Sequence, residues 1–141
     1  ANADLAVTVD TARFAVSGIN LGLFCSTPSV PLSRAVSRKR AFEMLTTGDF
    51  IDAHTAQEYG LVNHVVSADK LDETVDALAK NIASKPADAL RAGKALFYRQ
   101  LNMPLAEAYQ AAGQVMAGNM LFPDTQEGID AFIEKRDPSW T

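Results

Sequence analysis
Few residues in this sequence could do chemistry, and their spacing narrows the choice further. Cys25 is the one cysteine among 141 residues. It has no sequence neighbour able to act as its base, and free thiols are among the most buried side chains, so it reads as core or pocket lining rather than as a nucleophile. A lone cysteine can form no internal disulfide, which points to a reducing compartment. His54 falls at a helix start and His64 in a strand. Neither has a partner at a metal-site spacing such as CxxC or HxxxH, and both read as structural. Asp69, Asp72, Glu73 and Asp76 form a solvated helix face whose charge suits a helix N-terminus. Arg34 and Arg38, on either side of Ser37, read as surface or interface charges. Phe132 and Lys135 stand three apart on the last helical segment and share roughly one face. Met116 belongs to the apolar stripe of the helix before it.

Two short strands, Leu5 to Val9 and Arg13 to Val16, are marked by β-branched content and by turn residues after each. Leu23 to Pro28 reads as a pocket-lining loop, with turn chemistry at its end and apolar bulk in its middle. A helix follows Ser37 and stops at Gly48, a second runs from an Asp52 cap to Tyr59, and Leu61 to Val66 is a strand. The helical period then takes over. One helix is capped by Ser67 or Asp69, two open with Pro86 and Pro104 in their first turns, and the last starts at Asp124 with a capping box to Glu127.

The composition is that of an ordinary globular chain, 48% apolar and 21% charged, and argues against disorder. The net charge of -4, with basic residues scattered rather than clustered, argues against a nucleic-acid or anionic-membrane surface. No run approaches the roughly 20 apolar residues of a membrane span. The first residues hold no basic segment leading into an apolar one, so a soluble protein without a membrane partner is expected.

Phe42-Glu43-Met44-Leu45-Thr46-Thr47-Gly48-Asp49-Phe50-Ile51-Asp52-Ala53, continued by Ala56-Gln57-Glu58-Tyr59-Gly60-Leu61-Val62-Asn63, resembles a pattern of the crotonase superfamily, the enoyl-CoA hydratases and isomerases. That pattern is a helix, a Thr-Gly turn, a short helix and a strand. Upstream, Ala3-Asp4-Leu5-Ala6 and Ala12-Arg13-Phe14-Ala15 resemble the family's preceding strands. Downstream, Gln126-Glu127-Gly128-Ile129-Asp130-Ala131-Phe132-Ile133-Glu134-Lys135-Arg136 resembles its C-terminal ending. Within the superfamily, Gly22-Leu23-Phe24-Cys25-Ser26-Thr27-Pro28 is most similar to the group called enoyl-CoA hydratase domain-containing protein 3.

The resemblance implies an α/β fold, the C-terminal part of a crotonase (ClpP-like) spiral with short strands over residues 1–66. A helical oligomerisation layer over 67–141 would follow, which in the family joins trimers or hexamers. It implies an acyl-CoA partner, with the coenzyme A thioester as substrate and no separate cofactor, and a role in fatty acyl-CoA metabolism with lyase or isomerase chemistry. The expected compartment is the cytoplasm, or the mitochondrial matrix in a eukaryote.

In typical members a Pro-Glu pair follows the second strand, and its carboxylate moves protons at the substrate's α and β carbons. By the match those positions are Ser17 and Gly18. Gly18 can neither give nor accept a proton, so no catalytic residue is assigned here. Gly18, Leu23, Phe24 and Cys25 are expected to line the substrate pocket, and Met116, Phe132 and Lys135 to meet coenzyme A. The family's oxyanion hole and other carboxylate belong to a preceding half of about a hundred residues, expected on the same gene product or another chain. The alternative is a non-catalytic acyl-CoA-binding or scaffold protein of the same fold.

Overall fold
In the computed structural model, which describes residues 1–141, the first apolar run forms β1 (Val7–Val9) and the second β2 (Arg13–Phe14). They do not pair with each other. β1 runs parallel to β4 (His64–Val66), with Val7 opposite His64 and Val9 opposite Val66. β2 is antiparallel to β3 (Ile51–Asp52), with Phe14 opposite Ile51. Between β1 and β2 the chain turns, the Ala12 N–H donating to the Val9 carbonyl at 3.1 Å, and passes from one sheet to the other. A parallel pair needs a long crossover, and the helices between residues 26 and 58 supply it. The two-residue β3 is too short to leave a pattern of its own in the sequence.

The crossover carries α1 (Ser26–Ala35), α2 (Arg38–Thr47) and α3 (Ala53–Glu58). The first of these corrects the sequence expectation, which gave Ser26 to Pro28 to a loop. Pro28 lies in the opening turn of α1, where its missing N–H is no loss, whereas Pro31 sits inside the helix and removes the donor for the Thr27 carbonyl. Two prolines so close together hide a helix from propensity. Leu32 and Val36 from the α1 end, with Ala41, Met44 and Leu45 of α2, make the buried core, and Val16, Cys25, Ile51, Tyr59 and Leu61 pack against it.

Asp52 caps α3 as its position suggests, its carboxylate accepting from the Thr55 N–H at 2.7 Å, and that bond holds its pKa below the ordinary carboxylate value. Arg40 of α2 donates to the Glu58 carbonyl at 2.7 Å and lies over the Tyr59 ring, tying α2 to the end of α3. Asn63 secures the start of β1: its Oδ1 accepts from the Ala6 N–H, and its own N–H donates to the Ala6 carbonyl, both at 2.8 Å.

Contacts divide the chain into two compact units, Ala1–Leu78 and Ala79–Thr141, and α4 (Leu71–Ala83) runs through the division. In the second unit α5 (Ala87–Gln100) packs against α6 (Leu105–Asn119), and α7 (Pro123–Glu134) follows. Pro86 and Pro104 stand at the cap positions, one residue before the expected first turn, while Pro123 opens α7. The capping box does not form. Phe122 is at the cap, and both carboxylates of the motif turn to the chain that follows the helix, which offers them better donors. No helix is long and apolar enough to cross a membrane.

Candidate functional site
Gly18 lies in a 3-10 turn, Ser17–Leu21, that leads from β2 toward α1. The turn closes on itself: Gly22 takes a left-handed φ of 78°, its N–H reaches the Ile19 carbonyl at 3.1 Å, and the Leu23 N–H reaches the Gly18 carbonyl at 3.0 Å. Leu23 and Phe24 are left exposed on the outside of this loop, and Cys25 is half-buried at the cap of α1. The four residues expected at the substrate pocket therefore share one tight turn. A cavity of about 630 Å³ in the same unit is walled by Phe14, Val16, Leu32, Met44 and Leu61 among others, and none of the four lines it.

The turn rests on Gly48, the glycine of the Thr-Gly motif. Gly48 is buried, with a φ of 67°, and a Cβ there would stand 2.8 Å from both Ile19 Cγ2 and Asn20 Nδ2. Only glycine satisfies both demands, the left-handed backbone and the close approach. The motif thus does two things: it ends α2, and it carries the turn that holds Gly18.

In the second unit the ending motif is a folded strap. Arg136 makes a two-pronged ion pair with Glu127 at 2.6 and 2.9 Å and a further bond to Glu134 at 2.5 Å, and the Ser139 N–H donates to Glu127 at 2.8 Å. These donors, Arg136 first, pull the Glu127 pKa down to about 2 and push the Arg136 pKa up. Asp124, buried, accepts from the Thr141 N–H and hydroxyl, both at 2.9 Å. Trp140 then lies over Gly128, where a Cβ would stand 3.3 Å from its ring.

Strap and helix line a cavity of about 480 Å³ whose walls include Phe122, Ile129, Phe132 and Trp140 together with Pro86 and Ala89. Phe132 is in this lining, whereas Met116 and Lys135 are not. Met116 is exposed on α6, and Lys135 ends α7 in a left-handed conformation with φ 56°. Trp140 escaped the sequence reading. Its one available signal was a glycine twelve residues before a tryptophan in a chain with a single Trp.

The sequence model described as enoyl-CoA hydratase/isomerase matches residues 1–141. The chain belongs to the enoyl-CoA hydratase/isomerase family. Among curated relatives, enoyl-CoA hydratase domain-containing protein 3, mitochondrial, of Rattus norvegicus is 49% identical over the whole chain, which covers 47% of that protein. The Homo sapiens counterpart is 47% identical, again over the whole chain and 46% of the relative. A crystal structure of an enoyl-CoA hydratase from Mycobacterium smegmatis superposes with a TM-score of 0.94 at 55% identity, over 97% of this chain and 53% of the other. That of human enoyl coenzyme A hydratase domain-containing protein 3 gives 0.92 at 47%, over 97% and 54%. The chain spans about half the length of these relatives and corresponds to their C-terminal half.

As a member of the enoyl-CoA hydratase/isomerase family the chain has the fold expected of the C-terminal part of the crotonase spiral, short strands and many helices. Three family signatures now have physical roles. The Thr-Gly turn supports the Gly18 loop, the Asn of Gly-Leu-Val-Asn fixes β1, and the Glu-Gly and Arg of the ending make the strap. None of these roles is itself chemical.

Proposed function
We propose that the complete protein binds an acyl-CoA thioester and acts in fatty acyl-CoA metabolism without the second carboxylate of typical hydratases. The observation that supports this reading is a family match over all of residues 1–141, taken with the glycine at position 18, where the resemblance to the family's Pro-Glu motif implies glutamate. The pocket wall would be Gly18, Leu23, Phe24 and Cys25. The loop is apolar at Leu23 and Phe24, which suits an acyl chain, and offers no side-chain acid at position 18. Met116, Phe132 and Lys135 would meet coenzyme A, Phe132 by stacking and Lys135 by charge. The thioester is the substrate, and no separate cofactor is assigned.

A carboxylate in the preceding half would support a one-base reaction, such as isomerisation or thioester hydrolysis, and hydration by two carboxylates would be lost. The apolar loop equally favours the second reading, a non-catalytic acyl-CoA-binding or scaffold protein of the same fold. We place the protein in the mitochondrial matrix if its source is eukaryotic, following the vertebrate relatives named mitochondrial, and otherwise in the cytoplasm.

Calorimetric titration of the complete protein with an acyl-CoA, with free coenzyme A and with the free acid tests binding. Saturable binding of the thioester alone, with no loss of enoyl absorbance, is expected. Hydration at the rate of an ordinary hydratase would defeat the reading of Gly18, and absence of any acyl-CoA binding would defeat the whole.

A further inference from the structure
The Gly18 turn is filled from inside at the point where a side chain would leave it. A Cβ built on Gly18 would overlap Cys25 Sγ and stand 2.9 Å from the Leu23 carbonyl oxygen. One obstacle is a side-chain end and the other is backbone. The Leu23 carbonyl belongs to a loop pinned by its own N–H on the Gly18 carbonyl at 3.0 Å, and Cys25 packs against the core cluster around Leu32 and Met44. The φ of Gly18 is not left-handed, so the backbone itself would accept another residue. What excludes one is the space its neighbours occupy.

We propose that Cys25 and Gly18 are a size-matched pair that fixes what the turn can carry at position 18, the position assigned above to the substrate wall. The thiol occupies the room of a position-18 side chain, so an acidic group is excluded there and the substrate meets a neutral wall. Cys25 is in this view a positioning residue and forms no bond to substrate. The proposal rests on the reading of Gly18 as the family's carboxylate position. It adds that the carboxylate cannot be restored at residue 18 alone.

The test uses the complete protein. Gly18→Ala is expected to lower the melting temperature by several degrees, and adding Cys25→Ala to recover at least half of that loss, because Sγ is the nearer obstacle. Gly18→Glu is expected to stay at the background rate of crotonyl-CoA hydration, and Gly18→Glu with Cys25→Ala to exceed it by about a hundred-fold, the usual worth of a well-placed acid or base.

Strictly additive stability losses would overturn the pairing, as would full hydration by Gly18→Glu with Cys25 intact. Coupled stabilities without any hydration by the double variant would keep the pairing and remove the carboxylate reading. If Gly18→Ala does not fold, the Gly18→Ala, Cys25→Ala protein is expected to, and failure of both overturns the proposal.

Discussion
Two left-handed residues, Gly48 at φ 67° and Lys135 at φ 56°, illustrate how the same backbone geometry is met by fit in one place and by strain in the other. At Gly48 a Cβ would add a close approach to Ile19 and Asn20 on top of the unfavourable φ. Gly48→Ala is therefore expected to destabilise the protein by more than the roughly 1–2 kcal/mol of the backbone conformation itself. It should also weaken acyl-CoA binding, since the displaced turn is the one that carries Gly18; urea denaturation and titration of the same variant check both. Binding unchanged beside a lowered midpoint would separate the turn from the ligand. Lys135 is the reverse case, a non-glycine residue held in the helix-ending conformation that glycine adopts without strain. Lys135→Gly should gain about 1 kcal/mol of stability. If its ammonium meets a phosphate of coenzyme A, affinity falls in the same variant by roughly tenfold to a hundredfold, the worth of one charged hydrogen bond. A stabilised variant with full affinity would put Lys135 in solvent.

At the scale of elements, the strap from Arg136 to Thr141 depends on Glu127, whose pKa of about 2 lies below its ordinary value of 4.5. A carboxylate with a depressed folded-state pKa contributes stability that is complete above the unfolded value and is lost as pH falls through the folded one. The strap is thus expected to hold at neutral pH and to loosen between pH 4.5 and 2. The emission of Trp140, isolated by subtracting the Trp140→Phe protein, should move to longer wavelength over that interval. In Glu127→Gln the shift should already be present at pH 7, and Glu127→Gln emission matching the wild type at every pH would show that other contacts hold the strap. Such pairings explain what the sequence could and could not disclose. Helices α2 and α3, with their glycine stop and aspartate cap, were legible because the signal and the structure it specifies lie within one or two turns of each other. Helix α1 was not, since Pro28 and Pro31 argue locally against a helix that burial of Leu32 and Val36 secures. Glu127 read as a cap because its true partner, Arg136, lies nine residues on and beyond a reversal of the chain. The position of Gly18 within the family pattern was visible, but its crowding by Cys25 depends on how the turn closes, and no spacing rule encodes that closure.

At the scale of the whole molecule the question is what covers the helices of the second unit. Helix α5 buries no residue fully and α6 buries only the alanines Ala108 and Ala111, whereas Phe97, Tyr109, Met116 and Leu121 are all more than half exposed and Leu121 reaches 85%. Burying a large apolar side chain is worth about 1.5–3 kcal/mol, so a face with this many of them is driven to associate. The relatives are about twice as long as this chain, and residues 1–141 alone are expected to give no crotonyl-CoA hydration above buffer; turnover by a preparation of that mass would refute this. The preceding half could cover part of the face; copies of the protein that associate through the rest would form a closed ring, since homo-oligomers mostly have cyclic symmetry. We therefore expect the complete protein to be a trimer or hexamer with residues 86–122 at its interface. Light scattering should give three or six times the subunit mass, and Phe97→Asp or Met116→Lys should lower it. These two substitutions distinguish the possible covers. If Phe97 and Met116 lie between subunits, a charge there should lower the mass and leave the secondary structure intact. If they lie under the subunit's own preceding half, the same charge should unfold the subunit instead. A monomer that persists on dilution, with both side chains protected inside one subunit, would rule out assembly through this face.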